Sequence, residues 1–341
     1  MTSVDARDLA GIDRLAPVLA EQLGDDRWRQ SDVALISGGK SNLTFLVTSP
    51  AGEVVLRRPP TGTLLPSAHD MVREARVQRA LAGTDVPVAQ ILLADEGELI
   101  GVPCYVMQKV SGHVIRGELP PSYASTPEER RAMGHVFADT LAHLHAVDHA
   151  AVGLADYGRP EGFLERQVRR WSGQWEQSRT HPVPEIEELG RRLAATVPEQ
   201  ARSTVVHGDF RTDNVVYDAD DPGRINAVLD WELSTLGDPL TDLALLTLFW
   251  REPGEPEVRL IPGVSHLPGF PSRAEMLERY AATSGADLSD LGWHQAFARY
   301  KFAIIAQGVQ VRAKAGAMGG QDFGDLDDEI RQLGAAGLAH L

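Results

Sequence analysis

The apolar residues Leu9, Ile12, Leu15, Leu19 and Leu23 recur at steps of three and four, which predicts an amphipathic helix that Gly24 can end. From Val33 the period changes to two. Val33 and Leu35 lead into Ser37-Gly38-Gly39-Lys40-Ser41, then Leu43, Phe45 and Val47 alternate up to the turn Ser49-Pro50-Ala51-Gly52, and Val54 to Arg57 extends again. The pattern predicts three consecutive antiparallel strands, the first two joined by a glycine-rich loop. A helix from His69 to Leu81 follows, then strands near Ile91 to Ala94 and Val102 to Val110.

Past Ser111-Gly112 long helical patterns take over, among them Pro127 to Asp148 with Met133, Phe137, Leu141 and Leu144 along one side. A β-rich island interrupts them at Thr204 to His207, Asn214 to Tyr217 and Ile225 to Leu229. The chain therefore reads as α+β, with a sheet-bearing part over 1–109 and a helical part over 110–341. Two parts suit 341 residues, since one core serves roughly 150.

Composition narrows the partners. With 33 basic against 48 acidic residues the formal charge is −15, which opposes nucleic acid or an anionic membrane as the main partner. No apolar run is long enough for a membrane span. Asp5, Arg7 and Asp8 near the start, with no apolar stretch after them, speak against a secretory signal. Cys104 is the single cysteine, so neither an internal disulfide, a zinc ribbon nor a CxxC pair is available, and a reducing cytoplasm is the expected location. The oligomeric state has no signal in the sequence.

The stretch His207-Gly208-Asp209-Phe210-Arg211-Thr212-Asp213-Asn214, flanked by short strands, sets an Asp and an Asn five positions apart in one loop. The strand Ile225 to Leu229 ends in Asp230, which can return a second acid to that loop. Three such oxygen-bearing side chains suit phosphoryl transfer: a carboxylate accepts or orients the attacking hydroxyl, and hard oxygens hold magnesium on the phosphates.

Here the chain resembles the aminoglycoside phosphotransferase family, small-molecule kinases with a fold like that of the protein kinases. The family's H-G-D-x-x-x-x-N signature is matched by His207, Gly208, Asp209 and Asn214, and its later metal-binding Asp by Asp230. The resemblance implies a two-lobed, protein-kinase-like fold, with an antiparallel-sheet N-terminal lobe for the nucleotide and a mainly helical C-terminal lobe for catalysis and the acceptor. It implies ATP and Mg2+ as cofactors, a small-molecule hydroxyl as acceptor, Asp209 as catalytic base, and Asn214 and Asp230 as metal ligands. The run Gly237-Asp238-Pro239-Leu240-Thr241-Asp242-Leu243-Ala244 extends the match, with Asp238 as helix start and Asp242 and His207 as braces of the loop.

In the N-terminal lobe Gly38, Gly39, Lys40, Ser41 and Asn42 would lay backbone N–H groups over phosphates. The basic residue that this fold places on its third strand, paired with a helix Glu, falls at Arg57 with Glu74. Lysine is usual there, so Arg57 is a departure. Arg58 should face the other way and reads as a surface charge. Gln108 and Val110 fall where backbone groups would hold the adenine edge. The run Val54-Val55-Leu56-Arg57-Arg58-Pro59-Pro60 most resembles the subgroup that includes kinase domains fused to acyl-CoA dehydrogenases, which implies a hydroxyacyl-CoA acceptor, an aminoglycoside-like one being the alternative. Lys301 and Arg312, on the helix from Trp293 to Arg312, are candidate acceptor contacts whose plainer reading is a solvated face.

Other motifs compete. Gly39-Lys40-Ser41 resembles the end of a Walker A loop, yet Ala34 stands where its first glycine belongs and Leu43 to Thr48 reads as strand. His145 and His149 are four apart, without the H-E-x-x-H context of a metallohydrolase, and read as structural. Gly263-Val264-Ser265-His266-Leu267 lacks the closing glycine of a nucleophile elbow, and Asp322-Phe323-Gly324 lies far downstream of Asn214. A nucleotide-binding module with weak catalysis is the remaining alternative, favoured only by the lysine-to-arginine departure.

Overall fold

The computed structural model describes residues 6–38, 42–60, 70–200, 202–256, 259–316 and 323–341. The chain is α+β and divides into two compact units, one of residues 1–112 with 226–234, the other of 113–225 with 235–341.

The first unit opens with α1 (Ala6–Ala10) and α2 (Ile12–Leu23). The single helix expected from periodicity is broken at Gly11, whose φ of 57° lies in the left-handed region that a glycine adopts readily. Five strands follow, β1 (Asp32–Gly38), β2 (Leu43–Ser49), β3 (Gly52–Arg58), β4 (Ile91–Asp95) and β5 (Cys104–Gln108), with α3 (Met71–Leu81) between β3 and β4 along the chain. They form one antiparallel sheet in the order β1-β2-β3-β5-β4. Because Leu43–Ser49 is a strand, the Walker A reading, which needs a helix there, falls.

Side chains alternate between the faces of this sheet. Val54, Leu56, Cys104 and Val106 pack with Ile12, Leu15 and Leu19 of α2, whereas Val55, Tyr105 and Met107 pack with Met71 and Ala75 of α3. The alternation sends Arg57 toward α3 and Arg58 to the opposite face. Arg58 corrects the surface reading: it is buried, and its guanidinium donates to the carbonyls of Leu9 and Pro59. The last carbonyls of a helix such as α1 lack intrahelical partners, so a buried cation finds an acceptor there. Cys104 is inert packing, its thiol pushed up to about 12 by burial.

The second unit contains α4 (Pro127–Ala146), α5 (Phe163–Ser178), α6 (Pro184–Ala195), β6 (Thr204–Val206) and β7 (Val215–Tyr217). The chain then runs through β8 (Ile225–Val228) and returns as β9 (Thr235–Gly237), α7 (Pro239–Phe249), α8 (Arg273–Ser284), α9 (Leu291–Lys314) and α10 (Asp327–Leu338). β9 pairs antiparallel with β6, and three residues are too few to leave a periodicity in the sequence. Trp171, Trp175 and Trp293 belong to a core shared with Leu189, Phe297 and Tyr300. His149 lies beyond the end of α4, so His145 and His149 share no helical face and the two-histidine metal reading falls. Among the described residues no helix is long and apolar enough to cross a membrane.

Candidate active site

β6 delivers the chain to a loop that is fixed on both sides of Asp209. Gly208 takes a φ of 84°, which turns the backbone sharply, and Phe210 is buried against Phe137 with ring centroids 4.5 Å apart. Asp209 itself stays partly exposed between these anchors. The Asn214 side-chain N–H donates to the Asp209 carbonyl at 2.9 Å and to its Oδ2 at 3.0 Å, so the two residues that the sequence set five apart are joined.

The loop is held from below by Asp242. Fully buried in the first turns of α7, it accepts the backbone N–H of His207 at 2.6 Å and of Gly208 at 2.8 Å. His145 Nε2 lies 3.4 Å from the same carboxylate, and His145 Nδ1 lies 2.7 Å from the Tyr280 hydroxyl. Burial alone would raise the Asp242 pKa, but the His145 contact and the His207 amide outweigh it and hold the carboxyl below its ordinary value. Asp238 starts α7 by accepting the Leu240 N–H at 2.9 Å, and the His207 ring accepts the Asp209 N–H at 3.3 Å, which braces the loop.

Two cations stand beside this loop, Arg211, which the sequence reading does not single out, and Lys301, which it names as a candidate acceptor contact. Arg211 Nε is 2.9 Å from Asp209 Oδ1, its Nη1 is 3.3 Å from Asp213 Oδ2, and its guanidinium lies 5.9 Å from the Phe249 ring centroid. Lys301 of α9 donates to the Gly208 carbonyl at 3.1 Å. Lys301 is half-buried, whereas Arg312 is exposed. The available signal was a lone charge in the otherwise apolar run Tyr300-Lys301-Phe302-Ala303-Ile304.

In the first unit Arg57 and Asp230 meet. Arg57 Nη2 is 3.0 Å from Asp230 Oδ1 but 3.8 Å from Glu74 Oε2, so its closer partner is Asp230. Burial would lower the Arg57 pKa, yet Tyr105, Glu74 and Asp230 together hold it above the ordinary value. Burial pushes the Glu74 carboxyl up, and Arg57 opposes this. Glu74 accepts from the Tyr105 hydroxyl and from Asn42 Nδ2, each at 3.0 Å, and Asn42 also reaches Glu232 at 3.3 Å. Asn42 is therefore a buried anchor just after the glycine-rich loop. Of that loop Gly38 ends β1, while Gly39, Lys40 and Ser41 lie outside the described residues.

Asp230 has φ 65° and ψ 64°, a left-handed conformation that costs a non-glycine residue about 1–3 kcal/mol and tends to mark functional positions. The turn after it is pinned: the Trp231 indole donates to the Val228 carbonyl at 3.0 Å, and Arg73 of α3 donates to the Ser234 carbonyl at 3.2 Å. At the end of β5 the Gln108 backbone N–H is taken by the Gln90 carbonyl at 2.8 Å, and Val110 lies just past the strand.

Comparison with known proteins bears on both units. A family model described as the phosphotransferase enzyme family matches residues 32–294. Acyl-CoA dehydrogenase family member 11 of Mus musculus is 36% identical over 325 residues, which is 92% of this chain and 41% of that protein, so the chain spans less than half of that relative's length. A crystal structure from Ralstonia eutropha, of a protein classed as an aminoglycoside phosphotransferase, is 31% identical, covers 96% of this chain and 97% of its own, and superposes with a TM-score of 0.82. Aminoglycoside phosphotransferase APH(4)-Ia, solved as a ternary complex with ADP and hygromycin B, shares the fold at 21% identity and a TM-score of 0.60, covering 94% of this chain and 99% of its own.

Proposed function

Because this chain belongs to the phosphotransferase enzyme family, we propose that it transfers the γ-phosphate of ATP, with magnesium, to a hydroxyl of a small molecule. The observation that carries the reading is the Asp209 carboxylate, held by Asn214 at 3.0 Å on a loop that buried Asp242 fixes by two backbone N–H groups. In the proposed reaction the acceptor oxygen forms a bond to the γ-phosphorus as the bond to ADP breaks, and Asp209 receives the hydroxyl proton.

Asn214 and Asp230 are the proposed magnesium ligands, and each by itself keeps an oxygen suited to that ion. Asn214 spends its N–H groups on Asp209, and Asp230 spends one oxygen on Arg57, which leaves Asn214 Oδ1 and Asp230 Oδ2 without a protein partner among the described residues. Both are hard oxygens, and magnesium is commonly held by one or two protein oxygens plus substrate phosphates. The ion would neutralise charge on the transferring phosphoryl group. Arg57 would contact a phosphate while Glu74 orients it, residues Gly38 to Asn42 would cover the phosphates, and backbone groups of Gln108 and Val110 would hold the adenine. The acceptor classes to test are hydroxyacyl-CoA thioesters, suggested by the acyl-CoA dehydrogenase relative, and aminoglycosides.

The test is ATP consumption with magnesium across hydroxyacyl-CoA thioesters, aminoglycosides and simple hydroxy compounds, with Asp209→Asn as control. Acceptor-dependent ADP formation should fall by about 10²–10⁴-fold in that variant while ATP affinity is retained. An unchanged rate removes Asp209 as base. A second reading, a nucleotide-binding module, draws on the grip of Arg57 on Asp230, and magnesium-ATP binding without turnover on any acceptor would favour it.

A further inference from the structure

Lys301 carries a charge that no carboxylate among the described residues pairs with directly. Its ammonium has three N–H donors, and the Gly208 carbonyl at 3.1 Å is its one hydrogen-bond acceptor among the described residues. No carboxylate stands within ion-pair distance of it there. Asp209 and Asp242 act on it only from further off, and burial holds its pKa below the ordinary lysine value. A half-buried ammonium whose nearest carboxylates act only from a distance gains when an anion arrives.

The surroundings repeat the same sign. Lys301 Nζ is 5.6 Å from the centroid of the Trp171 ring, and Arg170 Cζ is 5.8 Å from that ring. Arg170 is exposed and has no carboxylate partner among the described residues, and the buried Trp171 indole N–H has no acceptor there either. The hydrogen bond between the Ser172 and Tyr300 hydroxyls, 3.1 Å long, ties α5 to α9 one residue from both Trp171 and Lys301, so the cations and the ring hold their spacing. A polycationic acceptor would be repelled here and an oxyanion attracted.

We propose that Lys301, with Arg170 and Trp171, recognises an oxyanion on the acceptor close to the hydroxyl that Asp209 would deprotonate. The proposal rests on the phosphotransferase reading and adds the acceptor's charge to it. A carboxylate of the acceptor and a phosphate of a carrier such as coenzyme A offer the same chemistry.

Calorimetry on the full chain separates these sources and does not depend on turnover. The probes are 3-hydroxybutyrate for the carboxylate, coenzyme A for the phosphates, butane-1,3-diol as neutral control and kanamycin as polycation. One anionic probe should bind the wild type while the diol and kanamycin do not, and which one binds names the source. Lys301→Met should weaken that binding about tenfold or more, Arg170→Ala about threefold, and Lys301→Arg should largely retain it. The proposal is overturned if neither anionic probe binds, or if a folded Lys301→Met, judged by circular dichroism, binds as the wild type does. It is also overturned if magnesium-ATP affinity falls by the same factor, because the anion read by Lys301 is then the nucleotide. Should Lys301→Met fail to fold, undiminished binding by Arg170→Ala decides against it. Oxyanion binding by a chain that phosphorylates no acceptor would count against the kinase reading alone.

Discussion

The Asp242 carboxylate accepts the backbone N–H of His207 at 2.6 Å, from a helix that begins well past the loop of Asp209. A group that touches no reacting atom therefore sets where Asp209 lies. Asp242→Asn replaces one accepting oxygen with an NH2 that cannot accept, leaving a buried N–H of His207 or Gly208 unpaired. The expected loss is about 1.5–3 kcal/mol of stability in urea denaturation. In the proposed reaction kcat should fall with little change in the KM for ATP, and equal losses in both would assign Asp242 to nucleotide binding instead.

The same carboxylate makes stability depend on pH. Its pKa in the folded chain lies below the ordinary value of 3.8, so the unfolded chain binds the proton more readily. The stability that Asp242 contributes is thus complete above about pH 4 and is lost as pH falls through the lower folded value. Denaturation series between about pH 7 and pH 3 should show a steeper acid loss for the wild type than for Asp242→Asn. Parallel curves would mean that the carboxylate is no more ionised in the folded chain than in the unfolded one.

The loop of Asp209 is legible because its residues are close in sequence: Asp209 and Asn214 lie in one turn, and their hydrogen bond needs only that turn. The strands β1 to β3 were legible from alternation, and the same alternation explains why Arg57 reaches Asp230 and Glu74. Arg58 was misread because periodicity gives a side chain's face but not what covers it, and here α1 covers it. Gly11 was missed because a left-handed glycine can interrupt a helix without disturbing its apolar spacing. Lys301 is legible as a candidate acceptor contact, but its hydrogen bond is not, because Gly208 lies 93 residues away and offers a backbone carbonyl, which has no sequence signature.

Among the described residues Arg57 is the ion-pair partner of Asp230, and it lies next to the almost fully buried Glu74. Arg57→Met leaves two carboxylates facing each other with no cation between them, and breaking such a buried arrangement costs about 3–5 kcal/mol. Arg57→Lys keeps the charge but not the two-pronged guanidinium, so its loss should be clearly smaller. Urea denaturation of the three proteins checks the order. If Arg57→Met is as stable as the wild type, the ion pair contributes nothing to folding and the burial of Arg57 serves ligand binding alone.

Asn214 has one task that the structure shows and one that is proposed, and the kinetics of a single variant tell them apart. Its N–H groups hold the Asp209 carbonyl and carboxylate at 2.9 and 3.0 Å, and its oxygen is the proposed magnesium ligand. Asn214→Ala removes both. If both tasks are real, kcat should drop and the magnesium concentration for half-maximal rate should rise about tenfold, equivalent to about 1.4 kcal/mol of lost metal binding. A lower kcat at an unchanged magnesium requirement would confine Asn214 to holding Asp209, and the metal would then depend on Asp230 and the phosphates. A raised magnesium requirement at unchanged kcat in saturating metal would show that the Asp209 carboxylate keeps its place without this hydrogen bond, the clamp of Asp242 on the loop being sufficient.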